Sequence, residues 1–512
     1  MKCGEEKPVC LRCAKFGIEC DGYATPQRGK HVNRPIIPSS RALPPLLLQP
    51  TASGFIDEQE RSYFELFCFK TAFAILPRFE ADWVRLMLLQ ACETEPCIRH
   101  GIIAIGALHR TSKTIQSSEN LSFICRTEKP NEHYTDALRQ YDKAIRQMRA
   151  AATGGKMDLR ITLLKCLLVL TFEAWSGNDY MAAQQIAITI GMIQEWRAKN
   201  GKSSLSLQEF IAATPNIVED RLIQIFSHMA IPSILLTQRI APEAREILNN
   251  EIRCLESDFV PEVFTSFREA YIHHAILLRR STSLFSFCLP DTRSEDPDLH
   301  QPKAVEDTSL ITKRQNLMKN VSLWFKAFNP LSQACKDMAT VEWLQSRMLR
   351  AQLLGAYASQ CVMFTFEEIL YDSCTHTFKE IVEICTEALT ARRRLPYTEQ
   401  TNFSLSHSFI IPLYMTVLKC RDRTIRRDAI AILLATQWRE GVWDSFVAGH
   451  VGHWVMQVEE EFLEDDYVPG WARIAKVILR ANLRERTADL ACRQRISALS
   501  DETRIRKARV AW

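Results

Sequence analysis

Glycine is scarce in this chain, at 17 of 512 residues; a turn-rich all-β fold would need far more, whereas long helices do not. Long uninterrupted apolar runs are missing too. The most apolar stretch, Leu159 to Ala174, is broken by Arg160, Lys165 and Glu173 and falls short of the ~20 residues of a membrane span. It predicts a buried helix, and no membrane partner is expected. The first 20 residues are charged and hold no apolar core segment, so no secretory signal is read there. There is no His-Glu-x-x-His, no Gly-x-Ser-x-Gly elbow and no dinucleotide fingerprint. Gly154-Gly155-Lys156 and Gly201-Lys202-Ser203 look like pieces of a phosphate loop, but Ala150 and Trp196 stand where the loop needs its first glycine. The chain is therefore read as not an enzyme.

What is present is concentrated at the front. Residues 1–45 hold Lys2, Lys7, Arg12, Lys15, Arg28, Lys30, Arg34 and Arg41 against Glu5, Glu6, Glu19 and Asp21, and so carry the whole net charge of +4. That basic end favours a nucleic-acid partner. Of the 17 cysteines, thirteen are scattered through the body, many in apolar surroundings, and read as free thiols of a reducing compartment. The other four, Cys3, Cys10, Cys13 and Cys20, crowd into a stretch where average frequency would place fewer than one. Their spacing is C-x6-C-x2-C-x6-C. A C-x2-C pair sets two thiolates on one turn, where they share a soft tetrahedral metal, so the expected cofactor is Zn2+. Lys2, Lys7, Arg12 and Lys15 lower the thiol pKa values and are candidate DNA phosphate contacts.

The segment MKCGEEKPVCLRCAKFGIECDGY resembles the last two-thirds of the fungal six-cysteine binuclear zinc cluster, C-x2-C-x6-C-x5–12-C-x2-C-x6–8-C. Cys3, Cys10, Cys13 and Cys20 match its third to sixth cysteines, and Lys7-Pro8 and Cys20-Asp21-Gly22-Tyr23 fit as well. The resemblance implies that Cys10 bridges two zincs, Cys13 and Cys20 are terminal ligands of one, and Cys3 is a terminal ligand of the other. The pattern's first C-x2-C and the basic stretch on its DNA-reading helix have no counterpart here, apart from Lys2. The expectation is that Met1 is an internal methionine of a longer product. The chain as written is then expected to bind DNA weakly or not at all, because three ligands for one metal and one for the other cannot complete a two-metal cage.

Residues 24–56, with six prolines, read as a flexible tether. No heptad follows the cysteines, so nothing indicates a coiled-coil dimer, and a homodimer through another surface is left open. From residue 57 to 512 the periodicity is helical. Tyr134, Ala137, Leu138, Tyr141, Ala144, Ile145 and Met148 form one stripe; Ile98, Ile102, Ile105 and Leu108 another. Ala183, Ile186, Ile190 and Ile193 follow the Gly177-Asn178-Asp179 turn. Further stripes run through Val218, Leu222, Ile225, Phe226 and Met229, and through Leu317, Val321, Trp324, Phe325 and Phe328. No alternating run with turn signals suggests a sheet. The fold class is all-α: a large helical array behind a small zinc module and a Pro-rich linker. Breaks are expected near residues 111–131, 151–157, 199–216, 289–312 and 395–402. The acidic 289–312 segment reads as a solvated loop, with partner binding the sharper alternative.

The body resembles the same family. HYTDALRQYDKAI and ITLLKCLLVLTFEAWSGNDYMAAQQIAITIGMI look like the first stretch of the fungal transcription-factor regulatory domain, and LKCRDRTIRRDAIAILLATQWREGVWDSFVAGHVGHWVMQVEEE like its C-terminal signature. The resemblance implies a nuclear regulator of RNA polymerase II transcription. Its expected partners are double-stranded promoter DNA and transcriptional or regulatory proteins. The alternative is a DNA-blind paralogue acting through protein contacts of the helical domain. Among rival sites, His450 and His453 lack a third ligand at usable spacing, and the adjacent pair His273-His274 would diverge on a helix, so structural roles are expected. Arg392-Arg393-Arg394 is expected to close a helix, and Arg421 to Arg427 to form a solvated face or ion pairs with Asp422 and Asp428. A nuclear-import signal is sought in either cluster or near Arg28-Gly29-Lys30.

Overall fold

Apolar residues recurring every third or fourth position must be covered along one face, and in the computed structural model helices cover one another. The structure describes residues 11–17, 55–76, 80–117, 131–152, 158–200, 218–234, 242–253, 259–287, 307–338, 340–365, 367–392, 401–406, 408–435 and 437–512. The chain divides into two units, Met1–Gly54 and Phe55–Trp512. In the first, the described element is α1 (Leu11–Phe16). The second opens with α2 (Glu58–Leu66), a π-helical turn at Phe67–Thr71, α3 (Ala72–Ile75), α4 (Ala81–Thr94) and α5 (Pro96–Ser117). It continues with α6 (Glu132–Ala152), α7 (Leu159–Trp175), α8 (Asp179–Lys199), α9 (Val218–Ile234), α10 (Pro242–Arg253) and α11 (Phe267–Phe287). Then come α12 (Thr308–Ala334), α13 (Val341–Val362), α14 (Thr375–Arg392), α15 (Ile410–Lys419), α16 (Arg423–Ala435) and α17 (Ser445–Glu460).

Side-chain caps fix where several of these helices begin. Asp57 accepts from the Glu60 amide at 2.7 Å, Asp158 from Arg160 at 2.9 Å, Asp307 from Ser309 at 2.8 Å and Thr340 from Trp343 at 3.2 Å. Each satisfies a donor that a helix start leaves unpaired, typically worth about 1 kcal/mol. The predicted stripes are the buried faces. Ile98, Ile102, Ile105 and Leu108 of α5 are buried against α2, α6 and α7, and Ala183, Ile186, Ile190 and Ile193 of α8 are buried beside α7, α9 and α10. On α6 the stripe is narrower than expected: Leu138 is 44% exposed, and Gln140 is buried in its stead, donating to Glu60 and bonded to His100. Helix α7 is the buried helix its composition predicted, and among the described residues no helix is long and apolar enough to cross a membrane.

The helical class holds, with two local departures. The chain ends in an antiparallel sheet, β4 (Val477–Asn482), β5 (Thr487–Ser497) and β6 (Ser500–Ala511), where no strand was expected. Its alternation is real but chemically faint. The inward face of β5 is Ala488, Leu490, Cys492 and Gln494, all buried, and only Leu490 is a strong apolar signal. That face packs on Val447, Val451, Trp454, Val455 and Val458 of α17. Gln494 is admitted because its amide donates to the carbonyls of Val458 and Ala472 at 3.2 and 2.8 Å. A second, minimal sheet joins β1 (Phe403–Ser404), parallel to β2 (Arg439–Glu440), which pairs antiparallel with β3 (Trp443–Asp444). Expected breaks were displaced at two places. Helix α5 continues past Thr111 to Ser117, and α12 starts at Thr308 inside the acidic segment.

Candidate functional site

The amino-terminal candidates are placed only in part. Arg12, Cys13 and Lys15 lie on α1, and Gly17, in the left-handed conformation at φ +65°, turns the chain directly after it. Lys15 is exposed, as are Leu11 and Phe16 at 67% and 73%. Lys2, Cys3, Lys7, Cys10 and Cys20 lie outside the described residues. Cys13 lies on this helical turn, and the cysteine three residues before it in sequence gives the spacing of a C-x2-C zinc pair. Four thiols beside lysines and an arginine are a donor set that fits Zn2+ by charge and softness.

The family-like phrases of the body sit far apart in sequence, and the structure brings them together. Arg439 donates from Nη1 to the Trp175 carbonyl at 3.0 Å, 264 positions away, and from Nε to Asp444 at 2.9 Å. The Trp175 ring stacks on Phe403 at 5.1 Å, and its Nε1 donates to Asn402 at 3.3 Å. The turn after Trp175 must be glycine. Gly177 has φ +78°, and a Cβ there would stand 2.8 Å from the Arg439 guanidinium. Two more residues of the Arg-Glu-Gly-Val-Trp-Asp-Ser run, Glu440 and Asp444, hold helix starts. The Glu440 carboxylate accepts from the amides of Ser408, Phe409 and Ile410 at 2.7 to 3.2 Å, holding the start of α15. Burial pushes the Glu440 carboxyl up, and those amides work against that shift. Asp444 caps α17 through the Phe446 and Val447 amides at 2.9 and 3.1 Å.

The Cys-Arg-Asp and Arg-Arg phrases build a buried charge hub. Glu459 accepts from Arg421 Nη2 and Arg426 Nη1, both at 2.7 Å, and from the Ile474 amide at 2.7 Å. Arg421 also reaches Glu368 at 3.0 Å, and Lys419 pairs with the same carboxylate at 2.6 Å. Burial alone would raise the Glu459 carboxyl, but the two guanidinium groups outweigh it and hold the group down at about 2. This corrects the expected partners. Arg421 and Arg426 are buried against Glu459, while Asp422 caps α16 through Thr424 and Ile425. Arg423 pairs with Asp466, and Arg427 with Glu460 at 2.5 Å. Periodicity could not reveal this, because Glu459 lies 38 residues beyond Arg421.

The other sequence candidates have structural surroundings. His450 meets the Trp512 ring edge-on at 5.7 Å, and His274 lies among Tyr271 and Trp324. Among the described residues no group of three or more His, Cys, Asp or Glu is arranged to hold a metal. Arg392 ends α14; Arg393, Arg394 and the Arg28-Gly29-Lys30 candidate lie outside the described residues. The ten described body cysteines are all unpaired thiols, seven of them buried. Sequence reading missed a cavity between α9, α11, α13 and α15, whose apolar lining looks like ordinary helix core.

The chain joins a cysteine-bearing basic segment to a large helical domain. Residues 1–30 match the model of the fungal Zn(2)-Cys(6) binuclear cluster domain, a zinc-binding domain. The chain is similar to the transcription regulator lscL of Purpureocillium lilacinum, with 28% identity over 205 residues, 39% of this chain and 48% of that protein. It is also similar to the aspercryptin biosynthesis cluster-specific transcription regulator atnN of Emericella nidulans, with 24% identity over 250 residues, 44% of this chain and 38% of that one. The chain thus spans about half, or less, of the length of these curated relatives. No solved structure matches it significantly.

Proposed function

We propose that this protein is a nuclear transcription regulator in which Cys3, Cys10, Cys13 and Cys20 hold zinc as thiolates. In this reading Lys2, Lys7, Arg12 and Lys15 contact DNA phosphates, and the helical domain from residue 57 to 512 sets activity through contacts with regulatory proteins or a second copy. The observation that carries it is the family match over residues 1–30, which contains those four cysteines at the family's spacing. The two relatives named as transcription regulators support the same direction. Zinc thiolates would fix the segment's fold, and the surrounding cations would neutralise phosphate charge rather than read bases.

A polypeptide of these 512 residues is expected to carry at most one zinc per chain, since four thiolates close one tetrahedral site. Mass-spectrometric metal analysis of the purified chain measures this. Cys10→Ser, Cys13→Ser and Cys20→Ser should each lose the metal, and retention in all three would refute the assignment. Binding of that polypeptide to duplex DNA should be weak and fall steeply with salt, as phosphate contacts are screened. Tight, salt-insensitive binding would contradict it.

A further inference from the structure

Helices α9, α11, α13 and α15 diverge around a cavity of about 200 Å3 that the regulator reading leaves unused. Its walls are mainly apolar, with Leu278, Phe285, Met348, Ile411 and Met415 among them, and no Asp, Glu, Lys or Arg side chain lines it among the described residues. An apolar cavity of roughly 150 Å3 is enough to take up benzene, so this one admits a molecule of one or two rings.

One wall is polar in an unusual way. His274 is 2% exposed, and neither ring nitrogen makes a hydrogen bond of good geometry among the described residues, although the Leu349 backbone lies near the ring. Burial, with His228 nearby, pushes its imidazole down to about 3, so the ring is neutral and offers one N–H and one lone pair. Beside it the Tyr271 hydroxyl is bonded to His228 Nδ1 at 2.8 Å, so both of those groups are already engaged. A buried polar group facing an apolar cavity without a partner is costly, and a ligand hydroxyl or carbonyl removes that cost. An ionised ligand would find no countercharge.

We propose that this cavity binds an uncharged, mainly apolar small molecule of one or two rings whose hydroxyl or carbonyl group hydrogen-bonds His274. The site lies wholly within the helical unit and stands or falls separately from zinc at the amino terminus.

The test is equilibrium dialysis of the full chain with 2-naphthol, alongside naphthalene and 2-naphthoate. Saturable one-site binding of 2-naphthol is expected, about tenfold tighter than naphthalene, with 2-naphthoate excluded. Ala356→Phe, which fills the cavity, should abolish binding. His274→Phe should keep naphthalene binding and erase the preference for the hydroxyl. Absence of saturable 2-naphthol binding, equal binding of 2-naphthoate, or unchanged binding by Ala356→Phe overturns the proposal. Should Ala356→Phe fail to fold, amide exchange of the unsubstituted chain decides: 2-naphthol-induced protection over residues 271–285 and 348–359 supports the site, and protection elsewhere overturns it.

Discussion

Glu459 is a buried carboxylate on which the guanidinium groups of Arg421 and Arg426 converge. Removing one partner of such a set leaves charge uncompensated in the interior, which costs about 3–5 kcal/mol. Glu459→Gln should lower stability by that order in urea unfolding, far more than loss of the exposed Arg61–Glu65 pair, worth under about 1 kcal/mol. The pH dependence has a definite sign. The folded-state pKa of about 2 lies below the ordinary glutamate value of ~4.3, so this stabilisation is complete above ~4.3 and is lost as pH falls toward 2. The Gln variant should show a shallower loss of stability across that window, measured by denaturant midpoints. Gly177→Ala is a second residue-level test. A left-handed alanine costs about 1–2 kcal/mol, and here its methyl also meets the Arg439 guanidinium, so the melting temperature should fall accordingly.

At the scale of elements, Glu440 and the terminal sheet carry the argument. Glu440→Ala should leave the first amides of α15 unpaired at a cost of about 1–3 kcal/mol, and exchange at Phe409 and Ile410 should accelerate. A chain ending after Lys476 would uncover the valines and Trp454 of α17, and it should associate in solution as judged by light scattering. Helices were legible in the sequence because their apolar spacing repeats over several turns, as at Ile98 to Leu108 and Ala183 to Ile193. Strand β5 was not legible, because alanine, cysteine and a hydrogen-bonded glutamine fill its inner face, and period-two reading depends on strong apolar residues. The site was legible to different degrees for the same reason. The cysteine spacing speaks within 20 residues, whereas the charge hub and the cavity exist only once distant helices meet.

For the whole molecule, the thiols report how closed the helical unit is. Burial pushes the Cys68 and Cys492 thiols up to about 12, and Cys385 rises for the same reason. Alkylation of these three should track unfolding rather than direct attack, so their labelling should accelerate in step as mild urea lowers folding stability. The joint between Trp175 and Arg439 has a consequence in time. A ribosome adding about 5–20 residues per second needs tens of seconds to deliver Arg439 after Trp175 has emerged. During that interval the turn after Trp175 is without the guanidinium that locks it, so this joint closes only late in synthesis.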